Sequence, residues 1–137
     1  MTENERLAQA ALALVGAPFR MHGRDPATGL DCVGLVTAAL ACIGRPVKAP
    51  DDYRLRGGSL PLFDGWALGS GLFPLGDAVP EQPGDVLLCE VAPRQFHVMI
   101  DTGAHLVHAH IALGRVIASP HPAPWPVRRR WRLQQRV

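Results

Sequence analysis

The chain has 137 residues, of which 47% are apolar, with a formal net charge of +2. That is one domain with enough apolar material for a core, and it excludes a disordered chain. No apolar run approaches the ~18 residues of a membrane span. The start, Met1-Thr2-Glu3-Asn4-Glu5-Arg6, lacks the basic segment and cleavage site of a signal peptide, so the expectation is a chain made in the cytosol.

Thr2 and Glu5 form a capping-box pattern, and Leu7, Ala8, Ala11, Leu12 and Val15 recur at helical spacing up to Gly16 and Pro18. Residues 17 to 31 read as a loop with turns at Asp25-Pro26 and Thr28-Gly29. A second helix is predicted from Cys32 to about Ile43, closed by Gly44 and Pro46. It is apolar nearly all round, so it is expected to be the buried central helix.

Residues 45 to 83 are rich in Gly and Pro and show no sustained period. Ser59-Leu60-Pro61 is a candidate helix start carrying Phe63 and Trp66. Tyr53 and Trp66 are weighed as cleft residues or plain loop anchors.

From Pro83 the pattern becomes strands. Asp85 to Val91, Gln95 to Asp101, Ala104 to Ala109, Arg115 to Ser119 and Val127 to Gln134 are predicted, joined by turns such as Thr102-Gly103. Five Arg and no acid lie in residues 128 to 137. The alternation of Arg128, Arg130 and Arg132 with Val127, Arg129, Trp131 and Leu133 suits an edge strand guarded by charge better than a nucleic-acid patch. Two helices followed by an antiparallel meander make an α+β domain spanning residues 1 to 137.

Cys32, Cys42 and Cys89 are an odd number without metal-type spacing, which argues against a disulfide framework. Cys42 and Cys89 read as structural. Cys32 differs, because Asp31 is a good N-cap and puts it at the first helical position. Unpaired N–H groups and roughly half a positive dipole charge there favour the thiolate.

A two-residue loop at Thr102-Gly103 would make Asp101 face Ala104 and place His97 directly opposite His108. A thiol at a helix start, a His on a strand and a second His behind it form the nucleophile, base and orienter scheme of a cysteine hydrolase. The oxyanion would be met by backbone N–H groups around Cys32.

Asp31-Cys32-Val33-Gly34-Leu35-Val36, then Pro83-Gly84-Asp85-Val86, His97-Val98 and Val107-His108-Ala109, resemble the NlpC-type family of bacterial cell-wall cysteine peptidases. The segment Ala17-Pro18-Phe19-Arg20-Met21-His22-Gly23-Arg24-Asp25 is similar to the phage cell-wall peptidase branch, with members encoded in tail clusters of prophages and gene transfer agents. The resemblance implies a papain-like fold with Cys32 as nucleophile, His97 as base and His108 as the polar third residue, with no cofactor. It implies cleavage of an amide in peptidoglycan stem peptides, commonly between D-glutamate and a diamino acid. Phe19, Asp31 and Phe96 are the expected substrate-contact positions. Val33 stands where the family usually has Ser, Phe19 where Tyr is frequent, and Phe96 where a small residue is common.

With a substrate outside the membrane, the protein is expected to be carried by a phage-like tail, docked to tail-hub or tail-tip proteins, with no nucleic acid and no membrane insertion. Three other readings are weighed. The run His105-Leu106-Val107-His108-Ala109-His110 invites zinc, but on a strand only His108 and His110 share a face. His22, His105, His110 and His121 are expected to be loop or surface residues. A non-enzymatic tail-hub adaptor is the main rival. A permuted papain-like acyltransferase would usually place its His before its Cys, the reverse of the order here.

Overall fold

The computed structural model describes residues 1 to 47 and 58 to 135. The element order is α1 (Glu3–Ala13), β1 (Arg24–Asp25), β2 (Gly29–Leu30), α2 (Cys32–Cys42), α3 (Leu60–Gly69), β3 (Leu72–Pro74), β4 (Val86–Ala92), β5 (Gln95–Asp101), β6 (His105–His110), β7 (Arg115–Pro120) and β8 (Val127–Leu133). β1 and β2 form a small hairpin, and the other six strands form one sheet in the order β3-β8-β4-β5-β6-β7. Every pairing in it is antiparallel. The fold class is the α+β expected from the element pattern.

The helices begin where the side chains offer caps. Thr2 accepts the Glu5 N–H and Glu5 returns to the Thr2 N–H, which completes the capping box of α1. Asp31 caps α2 by accepting the Gly34 N–H at 2.8 Å. α2 is buried along Cys32–Val36 and Ala38–Leu40, so the central-helix expectation holds except at its C-terminal end, where Cys42 is exposed.

The core follows the strand period. Val86 and Leu88 of β4, Phe96, Val98 and Ile100 of β5, Val107 and Ala109 of β6, and Trp131 and Leu133 of β8 form one cluster with Leu7, Ala11, Leu35, Leu40, Phe63 and Trp66 of the helices. The alternate residues Leu87, Cys89, Met99 and Leu106 form a second, smaller cluster on the other face, covered by Val91, Ala123 and Trp125. Trp66 lies edge-on to Trp131 at 6.1 Å and is a core anchor. Tyr53 lies outside the described residues.

Two expectations are corrected. β8 is not an edge strand, because it runs between β3 and β4. The three-residue β3 covers it, and so short a strand in a Gly/Pro-rich stretch leaves no period to read. The arginines of β8 are internal ties. Arg129 pairs with Asp64 of α3 at 2.9 Å, while Arg132 pairs with Asp85 at 2.7 Å and bonds the Pro80 carbonyl. Arg128 pairs with Glu90 at 2.8 Å, and Arg130 bonds the Gly76 and Val79 carbonyls.

The β5–β6 register also differs. The partners are Ile100↔Val107 and Asp101↔Leu106, and the Thr102 N–H donates to the His105 carbonyl at 2.8 Å. The two-residue loop is therefore Gly103-Ala104, one residue later than expected. Gly103 has φ +96, a value glycine adopts without strain at the first loop position. Asp101 accepts the Gly103 N–H at 2.7 Å, and Thr102 Oγ1 accepts the His105 N–H at 3.2 Å. These local bonds hold the later turn. The slip changes each partner by two, an even number, so every side chain keeps its predicted face.

Candidate active site

The N-terminus of α2 is packed into the loop before it. Asp31 is fully buried. Besides the Gly34 N–H, its carboxylate accepts the His22 N–H at 2.8 Å and Arg24 Nη1 at 3.2 Å. A Cβ on Gly34 would collide with the Gly23 carbonyl, so only glycine lets the loop close on the helix. Asp31, expected as a substrate contact, is here a helix cap and loop anchor that organises the turn from inside.

Cys32 follows at the first helical position and is 0% exposed. Burial pushes its thiol up to about 12, and the nearby Asp31 carboxylate adds to the rise. The backbone N–H groups of Val98, Val33 and Cys32 itself oppose the rise. The helix-start effect expected from the sequence is present, but desolvation of a thiolate outweighs it. The resting group is a protonated thiol, which corrects the expectation of a stabilised thiolate. The Val98 N–H also locates the thiol against β5, at the residue following His97.

His97 and His108 meet across the diverging ends of β5 and β6. Their rings lie 4.8 Å apart at 84°, and His97 Nε2 and His108 Nδ1 are 2.7 Å apart. His108 Nε2 lies 3.0 Å from Ser119 Oγ, and that hydroxyl donates to the Leu106 carbonyl at 3.4 Å. With Ser119 donating to Leu106, His108 Nε2–H would donate to Ser119 and His97 Nε2–H to His108 Nδ1, the arrangement that presents the His97 Nδ1 lone pair as a base.

Both imidazoles are held neutral. Burial lowers His97 to about 3, helped by His108 and His110, and lowers His108 to about 4, helped by His110. Trp125 adds an apolar wall, edge-on to His97 at 6.4 Å and to His108 at 6.3 Å.

A cavity of about 670 Å³ opens over this pair, with Phe19, Met21, His22, Phe96, His97, His108, His110 and Trp125 among its walls. Phe19 and Phe96 thus stand where substrate contacts were expected. Cys32 shows no surface to the cavity, and no hydrogen bond joins it to His97 among the described residues. The two histidines are brought together with their orienter, while the thiol waits one layer beneath, against the β5 backbone. Ser119 and Trp125 were missed from sequence. Ser119 could have been found from the β6–β7 register, since His108↔Ile117 puts it on the face of His108. Trp125 sits in a proline-rich link without periodic signal.

His108 cannot join a zinc set with His105 and His110, because His97 and Ser119 occupy both of its ring nitrogens. His110 Nδ1 accepts the Leu113 N–H at 3.0 Å, and His105 is exposed.

No protein-family model matches the chain, and no curated protein matches it. Solved structures do. The fold is the papain-like α+β fold of NlpC/P60 domains. The structure of NlpC2 from Trichomonas vaginalis is similar with a TM-score of 0.74 and 19% identity, over 99% of this chain and 48% of that one. The peptidoglycan hydrolase RipB from Mycobacterium tuberculosis is similar with a TM-score of 0.66 and 20% identity, over 97% of this chain and 65% of that one. The P60 domain of an antigen from M. avium subspecies paratuberculosis has a TM-score of 0.62 and 18% identity, over 95% and 93% of the two chains. This chain spans about half the length of the first of these. At such identities the likeness establishes the fold.

Proposed function

We propose that the protein is a cysteine endopeptidase that hydrolyses amide bonds in peptidoglycan stem peptides. The observation that carries this reading is the hydrogen-bonded series His97–His108–Ser119–Leu106, which can present His97 Nδ1 as a base at the cavity wall. A hydrogen-bonded pair of imidazoles, one buried and one half-buried at a cavity wall, serves packing less well than apolar residues would. The likeness to a structure described as a peptidoglycan hydrolase supports the substrate class.

In this reading His97 Nδ1 takes the Cys32 proton as sulfur attacks the amide carbon. The C=O electron pair moves to oxygen, and the oxyanion is met by N–H groups at the start of α2. Collapse breaks the C–N bond, with the His97 proton going to the leaving amine. Water, deprotonated by His97, then releases the acyl group and restores the thiol. Because thiol and imidazole rest neutral, the proton moves only when substrate opens a path to Cys32.

The tail-delivery role belongs to the same proposal. It rests on the likeness of residues 17 to 25 to the phage cell-wall peptidase branch. The particle would carry the protein to the recipient envelope, where local wall cleavage lets DNA pass. The adaptor reading draws on one observation, the full burial of Cys32. Mass analysis of peptidoglycan fragments separates the two. Wild type is expected to generate new stem-peptide termini, and Cys32→Ala none. No new fragments with either protein would favour the adaptor.

A further inference from the structure

We propose that Glu81, Asp101 and His121 form a binding site for a divalent transition metal of the zinc class, separate from the cleft. The three residues come from three segments: the loop before β4, the end of β5 and the link after β7. One ligand atom from each lies within 4.8 Å of the others. His121 Nε2 lies 3.1 Å from Glu81 Oε2 and 3.3 Å from Asp101 Oδ2. A tetrahedral zinc with bonds of about 2.0–2.2 Å has ligand-to-ligand edges of about 3.3–3.6 Å, so two of the three edges are already close to the right length.

Asp101 supplies the independent observation. It is 1% exposed, and its Oδ1 is fixed by the Gly103 N–H at 2.7 Å. Its Oδ2 points into the trio and has no partner outside it among the described residues. Such outer hydrogen bonding of one carboxylate oxygen orients the other toward a metal. The neighbouring Asp85 is already answered by Arg132 at 2.7 Å, whereas Asp101 and Glu81 have no arginine or lysine partner among the described residues. A divalent cation would answer both. An imidazole with two carboxylates suits zinc, cobalt or nickel, while magnesium and calcium prefer oxygen alone. Glu81 is on the exposed side, which leaves the fourth position to water. The bound ion would pin the loop ahead of β4 to the β5–β6 turn.

The test is titration of the metal-free full chain with Co²⁺, followed by competition with Zn²⁺. The expected result is one Co²⁺ per chain with a tetrahedral spectrum and no thiolate charge-transfer band, displaced by zinc. Glu81→Gln and His121→Ala should each weaken binding at least tenfold, while the exposed control His105→Ala should not. Zinc should raise the Tm of wild type and leave the two variants unmoved. Both substitutions fall outside the core, and circular dichroism checks that the variants fold. Absent or non-stoichiometric binding, binding unchanged in His121→Ala, or a thiolate band would overturn the site. A wild-type Tm that does not respond to zinc would also overturn it, by leaving the trio as ion pairs alone.

Discussion

At the residue scale, the candidate site is a competition between burial and hydrogen bonding. Cys32 is shielded while Cys42 is exposed. Iodoacetamide at neutral pH is therefore expected to label Cys42 first in the native protein, with Cys32 and Cys89 protected. This reverses the order that the helix-start argument alone predicts, since a thiol must be reachable as well as ionisable. Peptide mapping after timed alkylation checks it. Fast labelling of Cys32 before Cys42 would show that the site opens without substrate.

His97 and His108 give a signed pH dependence. Their native values, about 3 and about 4, lie below the ordinary histidine value of 6.5. Between those limits the unfolded chain binds more protons than the native one, so stability falls as pH drops from about 6.5 toward 3. A melting series over that range should slope downward, and His108→Asn should flatten part of it. A wild-type Tm independent of pH across that window would contradict neutral burial of the pair.

At the element scale, the sheet positions what the helices supply. β4 was legible as an apolar run after a Pro-Gly turn and β5 as an alternation, and α2 was legible from its Asp31 cap and Gly44 stop. The candidate site was legible as positions, Cys32 at a helix start and His97 and His108 on adjacent strands, and the structure brings the two histidines together. The His97–His108 contact was expected for a partly mistaken reason. The real turn lies one residue later, and the two side chains meet diagonally because an even slip preserves the face. What was not legible lies in segments without period. β3 is three residues long, Ser119 acts from a neighbouring strand, and Trp125 sits between prolines.

The turn and the wall each carry a prediction. Gly103→Ala forces a side chain into φ +96 and should destabilise the fold by about 1–3 kcal/mol, read from urea unfolding. Trp125→Ala should raise the titration midpoints of His97 and His108, followed by NMR, and move the acid limb of any pH–rate profile upward. Trp125→Phe should restore both, because its ring keeps an apolar edge there. Midpoints unmoved by Trp125→Ala would remove the wall from the account.

At the scale of the whole molecule, a helical layer and a six-stranded sheet enclose the Cys32 thiol, which is fully buried. Arg130 and Arg132 of β8 tie the loop before β4 to the sheet, while Arg128 and Arg129 pair with Glu90 and Asp64. In the delivery reading, purified tail particles should contain the protein in low, fixed copy number, and deleting it should reduce delivery without blocking DNA packaging. Recovery only in the soluble lysate would favour a free lysin.

In the proposed reaction Cys32 attacks an amide with His97 as its base. Amine release from purified peptidoglycan, followed for wild type and three variants, tests it most directly. Cys32→Ala should release nothing above background, and His97→Ala should fall by about 10²–10⁴-fold. Ser119→Ala should fall by a smaller factor, because it loosens only the far end of the series. Release by Cys32→Ala at the wild-type rate would contradict the account.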